Sequence, residues 1–526
     1  ANENPTPSFY YSGQMGEIIM FDVVVNTAQR TIINNYLSAK YGFLLGLDDF
    51  YTQDDFVNGD YDHDVAGIGQ ATDGSNHTNS RGTGIIRMHT PSDLDNDEFL
   101  FWGRNDKESY SFTTSSSYVK EGDNTWRVAK RSDLGTVSVE VDLTGIATPC
   151  SAQIVVDNDA DFSSPTNTYT MSNTSGNLWQ ATGVSFTDND YFRIAYTDDI
   201  VVDGTQFYNG SGAANVPNTA DNCYKLLVKN TATGSLALTE NANVKEVEVE
   251  SGGKLVVNTN RRLQVTNGIT NNGEIRMIGD AQLIQTHTGG SMNSGSGMFY
   301  QDQTSVTTSM YQSGYWSSPV TTDGSTFTIA GVLKDGTTPT SATSTPGNIT
   351  FSANTFDGDR TTNPITLSRY WLARLTNTTA WTVSLNPTTE TFNPGEGWNM
   401  KGPGGGTQNY TFVGRVNDGE YSLTVDDESF SLIGNPYPSA IDADEFIDDN
   451  NRSVGAVLYF WNAGDQTTHN SGNYTGSYHT RVVRMGTPSG TTAVSGISNF
   501  FIPVAQAFFV YRGAASRLGT GTAGTA

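Results

Sequence analysis

Cysteine is nearly absent: the 526-residue chain has two, Cys150 and Cys223. Neither sits in a C-x-x-C pair or beside a spaced histidine, which excludes zinc-ribbon and thioredoxin-type chemistry. One disulfide and two separate thiols both fit. Positive charge is scarce as well. Lys and Arg number 29 against 55 Asp and Glu, for a formal net charge of −26. A surface so poor in cations cannot neutralise phosphates, so nucleic acid is excluded as a partner. Docking on anionic lipid is excluded on the same ground. No run of about 18 apolar residues occurs, which excludes a transmembrane helix. The opening Ala1-Asn2-Glu3-Asn4-Pro5 lacks the charged and apolar regions of a signal peptide, so any such segment is expected to be already removed.

What is present suits an all-β protein. Aromatic residues make up 11% of the chain, enough to build cores and to exclude a wholly disordered polymer. Glycine stands at 55 residues, about a tenth against the usual share of about 7%. The expected fold class is all-β, with several β-sandwiches, a short β-solenoid spacer and one N-terminal amphipathic helix.

Residues 1–46 are expected to hold a strand and a helix. Glu17 to Val25 reads as a strand. Asn26 and Gln29 form a capping box, and Ile32, Ile33, Tyr36, Leu37 and Tyr41 supply an apolar stripe. Gly42 ends the helix in a left-handed cap. Residues 47–135 show short apolar runs broken by Asp, Asn and Gly, including Val65 to Ile68 and Phe99 to Trp102, and read as a β-rich module. From 136 to 221 alternation becomes clean: Val137, Val139 and Val141 face one way, and Tyr191 to Tyr196 forms a further strand. This spacing suits an immunoglobulin-sized sandwich.

An internal repeat occupies 222–290. Gly234-Ser235-Leu236, Gly253-Lys254-Leu255 and Gly273-Glu274-Ile275 recur every 19 or 20 residues. Ala242-Asn243-Val244, Arg261-Arg262-Leu263 and Ala281-Gln282-Leu283 repeat with the same period. Coils of this length with Gly or Asn at corners fit a β-solenoid whose ends need capping, and Asn267, Asn271 and Asn272 suit left-handed corners. Residues 291–512 read as one large aromatic-rich sandwich or two, with a helical turn near Ile441 to Asn450. Residues 513–526 are Gly/Ala/Thr-rich and read as a linker.

Reactive motifs are few. The histidines His63, His77, His89, His287, His469 and His479 form no H-E-x-x-H or close ligand pair, and no nucleophile elbow or phosphate-binding P-loop occurs. Gly402-Pro403-Gly404-Gly405-Gly406 lacks the lysine of a phosphate loop and reads as a tight turn. Asp426-Asp427-Glu428 and Asp442-Ala443-Asp444-Glu445 are carboxylate pairs by proximity, the kind a glycosidase uses, though such clusters are common in an acidic chain. Trp179, Trp371, Trp398 and Trp461 could stack on sugars or fill cores. Two D-x-D-x-D stretches stand out: Asp157, Asp159 and Asp161, and Asp60, Asp62 and Asp64. Alternate carboxylates can converge on calcium, which takes six to eight oxygens. The same spacing also marks a solvated Asp-rich turn. Neither stretch is an EF-hand, since Phe162 or Val65 stands where that loop needs glycine. No catalytic residue and no cofactor other than Ca2+ is expected.

Three stretches resemble surface proteins of the Bacteroidota exported by type IX secretion. The first is Gly16-Glu17-Ile18-Ile19 through Tyr41-Gly42, followed by Asp64-Val65-Ala66-Gly67-Ile68-Gly69. It is similar to the end of a laminin-G/concanavalin-like domain and the module after it. The second is the Asn-rich solenoid. The third runs through Tyr315-Trp316-Ser317-Ser318-Pro319-Val320, Gly397-Trp398-Asn399-Met400-Lys401-Gly402, Leu432-Ile433-Gly434-Asn435-Pro436-Tyr437-Pro438 and Ile502-Pro503-Val504-Ala505-Gln506-Ala507-Phe508. The resemblance covers most of the chain but specifies no activity. It implies a modular adhesin-like protein at the outer cell surface or released from it. The lectin-like domain is represented only by its last strand, and no sorting domain follows residue 512, so the chain is expected to be a piece of a longer protein.

The leading expectation is a non-enzymatic structural or adhesin-like surface protein whose partners would be surface glycans or other surface proteins. The alternatives are a carbohydrate-binding module or carbohydrate-active enzyme, and a subunit of a surface filament or secretion assembly that self-associates through the N-terminal strand.

Overall fold

The computed structural model describes residues 13, 15–105, 109–209, 213–214, 216–305, 307–336, 344–377, 380–482 and 500–513. Nearly all of the expected linker, 514–526, and the opening residues 1–12 lie outside the described residues. The chain divides into two compact units, residues 1–198 and 199–526. Strands are the main regular element of both. Among the described residues no helix is long and apolar enough to cross a membrane.

The first unit is a 13-stranded sheet that folds over on itself. Its path runs from His63–Gln70 through Glu98–Arg104, Trp126–Arg131, Tyr191–Thr197, Ser151–Asp157 and Asn167–Ser175, then on to Leu178–Val184, Val137–Asp142 and Ile86–His89. Alternation points Leu100, Trp102, Trp126, Val137, Val139, Val141, Ile154 and Phe192 into one core. The boundary drawn at 135/136 therefore passes between strands that share this core. Trp179 is buried in the strand Leu178–Val184.

The helix Thr27–Tyr41 packs on the outer face of this sheet. Its ends match the reading: the Asn26/Gln29 capping box is formed, and Gly42 closes the helix at φ 66°. Its buried stripe matches in part, since Ile32 is buried and Tyr36 packs against the same cluster. Ala28, Ile32, Asn35, Ser38 and Ala39 face the sheet, while Tyr41 is exposed. Small residues let the helix lie close against Phe99 and Phe101. Asn35 then serves as a polar clasp, its carbonyl accepting from the amides of Phe50 (2.8 Å) and Tyr51 (2.9 Å). The strand expected at Glu17 to Val25 is absent: the segment pairs with no strand among the described residues, and Met20, Val23 and Val24 are exposed. A strand forms only against a neighbour, and apolar character alone supplies none.

The second unit opens with the solenoid. Three parallel ladders form its faces. Asp199–Asp203, Lys225–Val228, Glu246–Val249 and Ile269–Asn271 make one. Thr233–Leu238, Lys254–Val257, Glu274–Met277 and Met298–Thr304 make the second. Ala242–Val244, Arg262–Val265 and Gln282–Gln285 make the third. The repeat registers hold where Lys254 faces Glu274 and Leu263 faces Leu283. The first coil departs from them: Thr233 faces Lys254 but Ala237 faces Val256, because a bulge lies between. The asparagines expected at left-handed corners do not take that conformation. Asn260 does, at φ 59°, with Gly252 and Gly279. Asn267, Asn271 and Asn272 instead bond between coils through their amides, for example Asn271 Nδ2 to the Met298 carbonyl at 3.2 Å.

One ladder is capped at its start and another at its end. The first strand pairs antiparallel with Gln206–Tyr208. The last, Met298–Thr304, pairs antiparallel with Asn409–Val416. The solenoid interior (Leu226, Val247, Leu255, Ile275, Leu283, Phe299) runs into the aromatic core of the later residues (Trp316, Trp398, Tyr410, Phe412) as one cluster. Beyond it, Ser429–Gly434, Ala507–Arg512, Val457–Asn462 and Ser477–Val482 form a four-stranded sheet. The helix expected near Ile441 is Ala443–Asp449, capped by Asp442.

Candidate functional site

The strand Ser151–Asp157 ends in the first D-x-D-x-D stretch, and the fold brings its three carboxylates together. Each offers an oxygen within 4.8 Å of the others. Among the described residues this is the one set of three or more His, Cys, Asp or Glu placed to hold a metal. Asp157 is 2% exposed, whereas Asp159 and Asp161 face solvent. Asp157 Oδ1 accepts from the Asn158 amide (2.7 Å) and the Thr166 hydroxyl (3.4 Å). Asp159 Oδ1 accepts from the Asp161 amide (3.0 Å), and Asp161 Oδ1 from the Ser163 amide (2.7 Å). That Ser163 amide leads the contacts that hold the Asp161 carboxyl below its usual range. Phe162, at φ 52°, turns the chain inward and buries its ring with Val119, Val155 and Ala195. The Arg193 guanidinium lies 4.5 Å over that ring and pairs with Glu121 at 2.9 Å. Neighbouring Asp190 is pushed up mainly by burial, with the Asp157 charge adding to it.

The second stretch does not converge. Asp62 pairs with His63 (2.6 Å), while Asp64 accepts from Arg104 (2.8 Å) and from the Thr83 hydroxyl. Burial would raise the Asp64 carboxyl, but these donors outweigh it and hold it low. Asp60 and Asp64 both sit at positive φ, so the alternation of an extended chain is broken and their side chains diverge.

The other carboxylates and histidines hold the fold together. Asp444 takes a two-pronged contact from Arg481, Asp427 pairs with Arg512 (2.8 Å), and Asp442 caps its helix. His89 bonds Thr90 and Gln180, and His479 bonds Asn462. Trp179 and Trp398 are core residues. Gly404, Gly405 and Gly406 all take positive φ, and Arg360 donates to the Gly405 carbonyl at 2.7 Å; the glycine run is a turn only glycine can make.

Two further constellations gave little sign in sequence. Lys401, 4% exposed, donates to the Tyr474 hydroxyl (2.7 Å) and meets His469 Nδ1 (3.1 Å), while its ammonium lies 3.7 Å over Trp371. His469 reaches Asp357 at 2.7 Å. Burial pushes the Lys401 ammonium down to about 8. Asp418 was legible only as a turn residue. It is buried and accepts from the Met292 amide (2.8 Å), the Asn293 amide (3.1 Å), the Ser291 hydroxyl and His287 Nε2 (3.1 Å). Asp418 and His287 edge a cavity of about 260 Å³. A second cavity, about 230 Å³, lies between Tyr421, Tyr437, Ile433, Phe508 and the helix residues Glu445 and Asp449.

The fold defines an all-β protein: a wrapped sheet in one unit and a capped parallel solenoid continuous with a β body in the other. Residues 212–520 match the family model of a domain of unknown function, DUF8693, and the chain belongs to that family. Residues 29–190 match a second domain of unknown function, DUF8202. No curated protein and no solved structure matches the chain.

Proposed function

We propose that this chain is a non-enzymatic structural module of a bacterial protein displayed at the outer cell surface or released from it, of the type IX-exported, adhesin-like kind. The observation that carries the reading is the solenoid, with an antiparallel strand on the first strand of one ladder and on the last strand of another, and with an interior continuous with the following body. Such a ladder resists disorder at its ends and suits presenting neighbouring modules to surface glycans or proteins. The oxidation of both cysteines in a disulfide supports an oxidising compartment. The prominent charged groups, Lys401, Asp418, Asp444 and Asp64, are spent on contacts within the fold. Antibody raised to this chain should label intact cells of the source organism and lose its target when those cells are shaved with protease. Labelling only after lysis would overturn the reading.

A second reading, an assembly subunit, is favoured by one observation. Met20 is 89% exposed and Val24 95% exposed, in a segment with no strand partner among the described residues. Such a segment can add to the sheet edge of another copy. Sedimentation of the chain should then show association that Met20→Asp with Val24→Asp abolishes; a concentration-independent monomer would exclude it.

A further inference from the structure

We propose that Asp157, Asp159 and Asp161 form a calcium site that fastens the loop after the strand Ser151–Asp157. Clustered carboxylates alone would not carry this, since acidic turns are common on an acidic chain. The added observation is Asp157 itself. Its side chain is buried, and its Oδ2 atom is sealed from solvent with no hydrogen-bond donor among the described residues. A sealed carboxylate oxygen without a donor is costly. The same carboxylate belongs to the trio in which each residue offers an oxygen within 4.8 Å of the others. A divalent cation answers both the sealed lone pair and the crowded negative charge.

The chemistry selects the ion. The donors are all hard oxygen, with no imidazole or thiolate, which disfavours zinc. They come from a loop at alternate positions, with two of the three carboxylates open to solvent, so that water can complete a shell of six to eight oxygens. Calcium tolerates this irregular arrangement, whereas magnesium demands near-ideal octahedral geometry. The cation packed on the loop, Arg193, does not compete, because Glu121 takes its charge. The strand and the buried Phe162 ring hold the loop on both sides of the cluster, so the ligands are partly arranged before the ion arrives. This site stands independently of the proposed function.

The test uses the whole chain, stripped with chelator and titrated with calcium chloride in about 0.15 M potassium chloride to screen diffuse attraction. Calorimetry should show one ion bound per chain, and the unfolding midpoint should rise with calcium through mass action. Asp159→Asn with Asp161→Asn, both exposed positions, should weaken binding by about tenfold or more. Asp157→Asn should abolish the calcium-dependent rise while leaving a folded protein. Asp60→Asn with Asp62→Asn should leave the response intact. The proposal is overturned if calcium up to about 10⁻³ M, the range of weak extracellular sites, leaves the midpoint unmoved. It is equally overturned if the Asp159/Asp161 variant binds as wild type does, if the Asp60/Asp62 variant loses the response, or if magnesium acts as strongly.

Discussion

Lys401 is buried between Trp371, Tyr474 and His469, and its folded-state pKa of about 8 lies below the ordinary lysine value of 10.5. The unfolded chain therefore binds this proton more tightly. Between about pH 8 and 10.5 the unfolded state carries more of it, so this group makes stability rise with pH over that window. Below pH 8 the cost of burying the charge is fully present. Relative to Lys401→Met, the wild type should gain up to about 3 kcal/mol between pH 8 and 10.5. Urea unfolding of both proteins at the two ends of that range checks it, and a parallel dependence would refute it. Asp418 works in the opposite sense, as an acceptor shared by two amides, a hydroxyl and an imidazole. Asp418→Ala strands those donors in a buried place and should cost about 3 kcal/mol, read by denaturant midpoint, with Asp418→Asn recovering part.

At the scale of elements, the solenoid coils stack so tightly that some positions have no room for a side chain. A Cβ on Gly273 would stand 2.2 Å from the Gly253 carbonyl, while one on Gly290 would meet nothing within 4 Å. Gly273→Ala should cost about 2 kcal/mol, and Gly290→Ala should stay within about 0.5 kcal/mol, both by thermal unfolding. The solenoid was legible because each coil repeats its neighbour's pattern and parallel ladders place equivalent residues in register. The helix ends were legible because Asn26, Gln29 and Gly42 act locally. The helix's buried face was legible only at Ile32 and Tyr36, because Ala28, Ser38 and Ala39 are chosen for close approach to Phe99 and Phe101, which lie in a strand far along the chain. Half of the metal reading was visible as spacing. Only the fold separates Asp157, sealed at a strand end, from Asp64, already engaged by Arg104. Asp418 read only as part of the Asn417-Asp418-Gly419 turn, because its donors lie more than 120 residues away in sequence.

For the whole molecule, a net charge of −26 means that each unit folds against its own repulsion. Ion pairs offset part of this along the solenoid, where Lys225, Lys229 and Lys254 meet Glu248, Glu250 and Glu274. These pairs are partly exposed, so each is worth little, and the collective repulsion should dominate. Raising ionic strength from about 0.05 M to about 0.5 M, where screening shortens from beyond 10 Å to a few ångströms, should raise the melting midpoint. A fall would show that the pairs matter more than the excess.

The closure of the last coil also sets a timetable. Its partner strand lies far downstream: Asp302 on the final coil is bonded to Thr411, 109 residues later. A chain that emerges from one end, in synthesis or export, must therefore wait with that parallel edge bare until the later strand arrives. A product cut short before residue 409 would keep a sticky rim, and its fate would be clumping rather than a smaller working part.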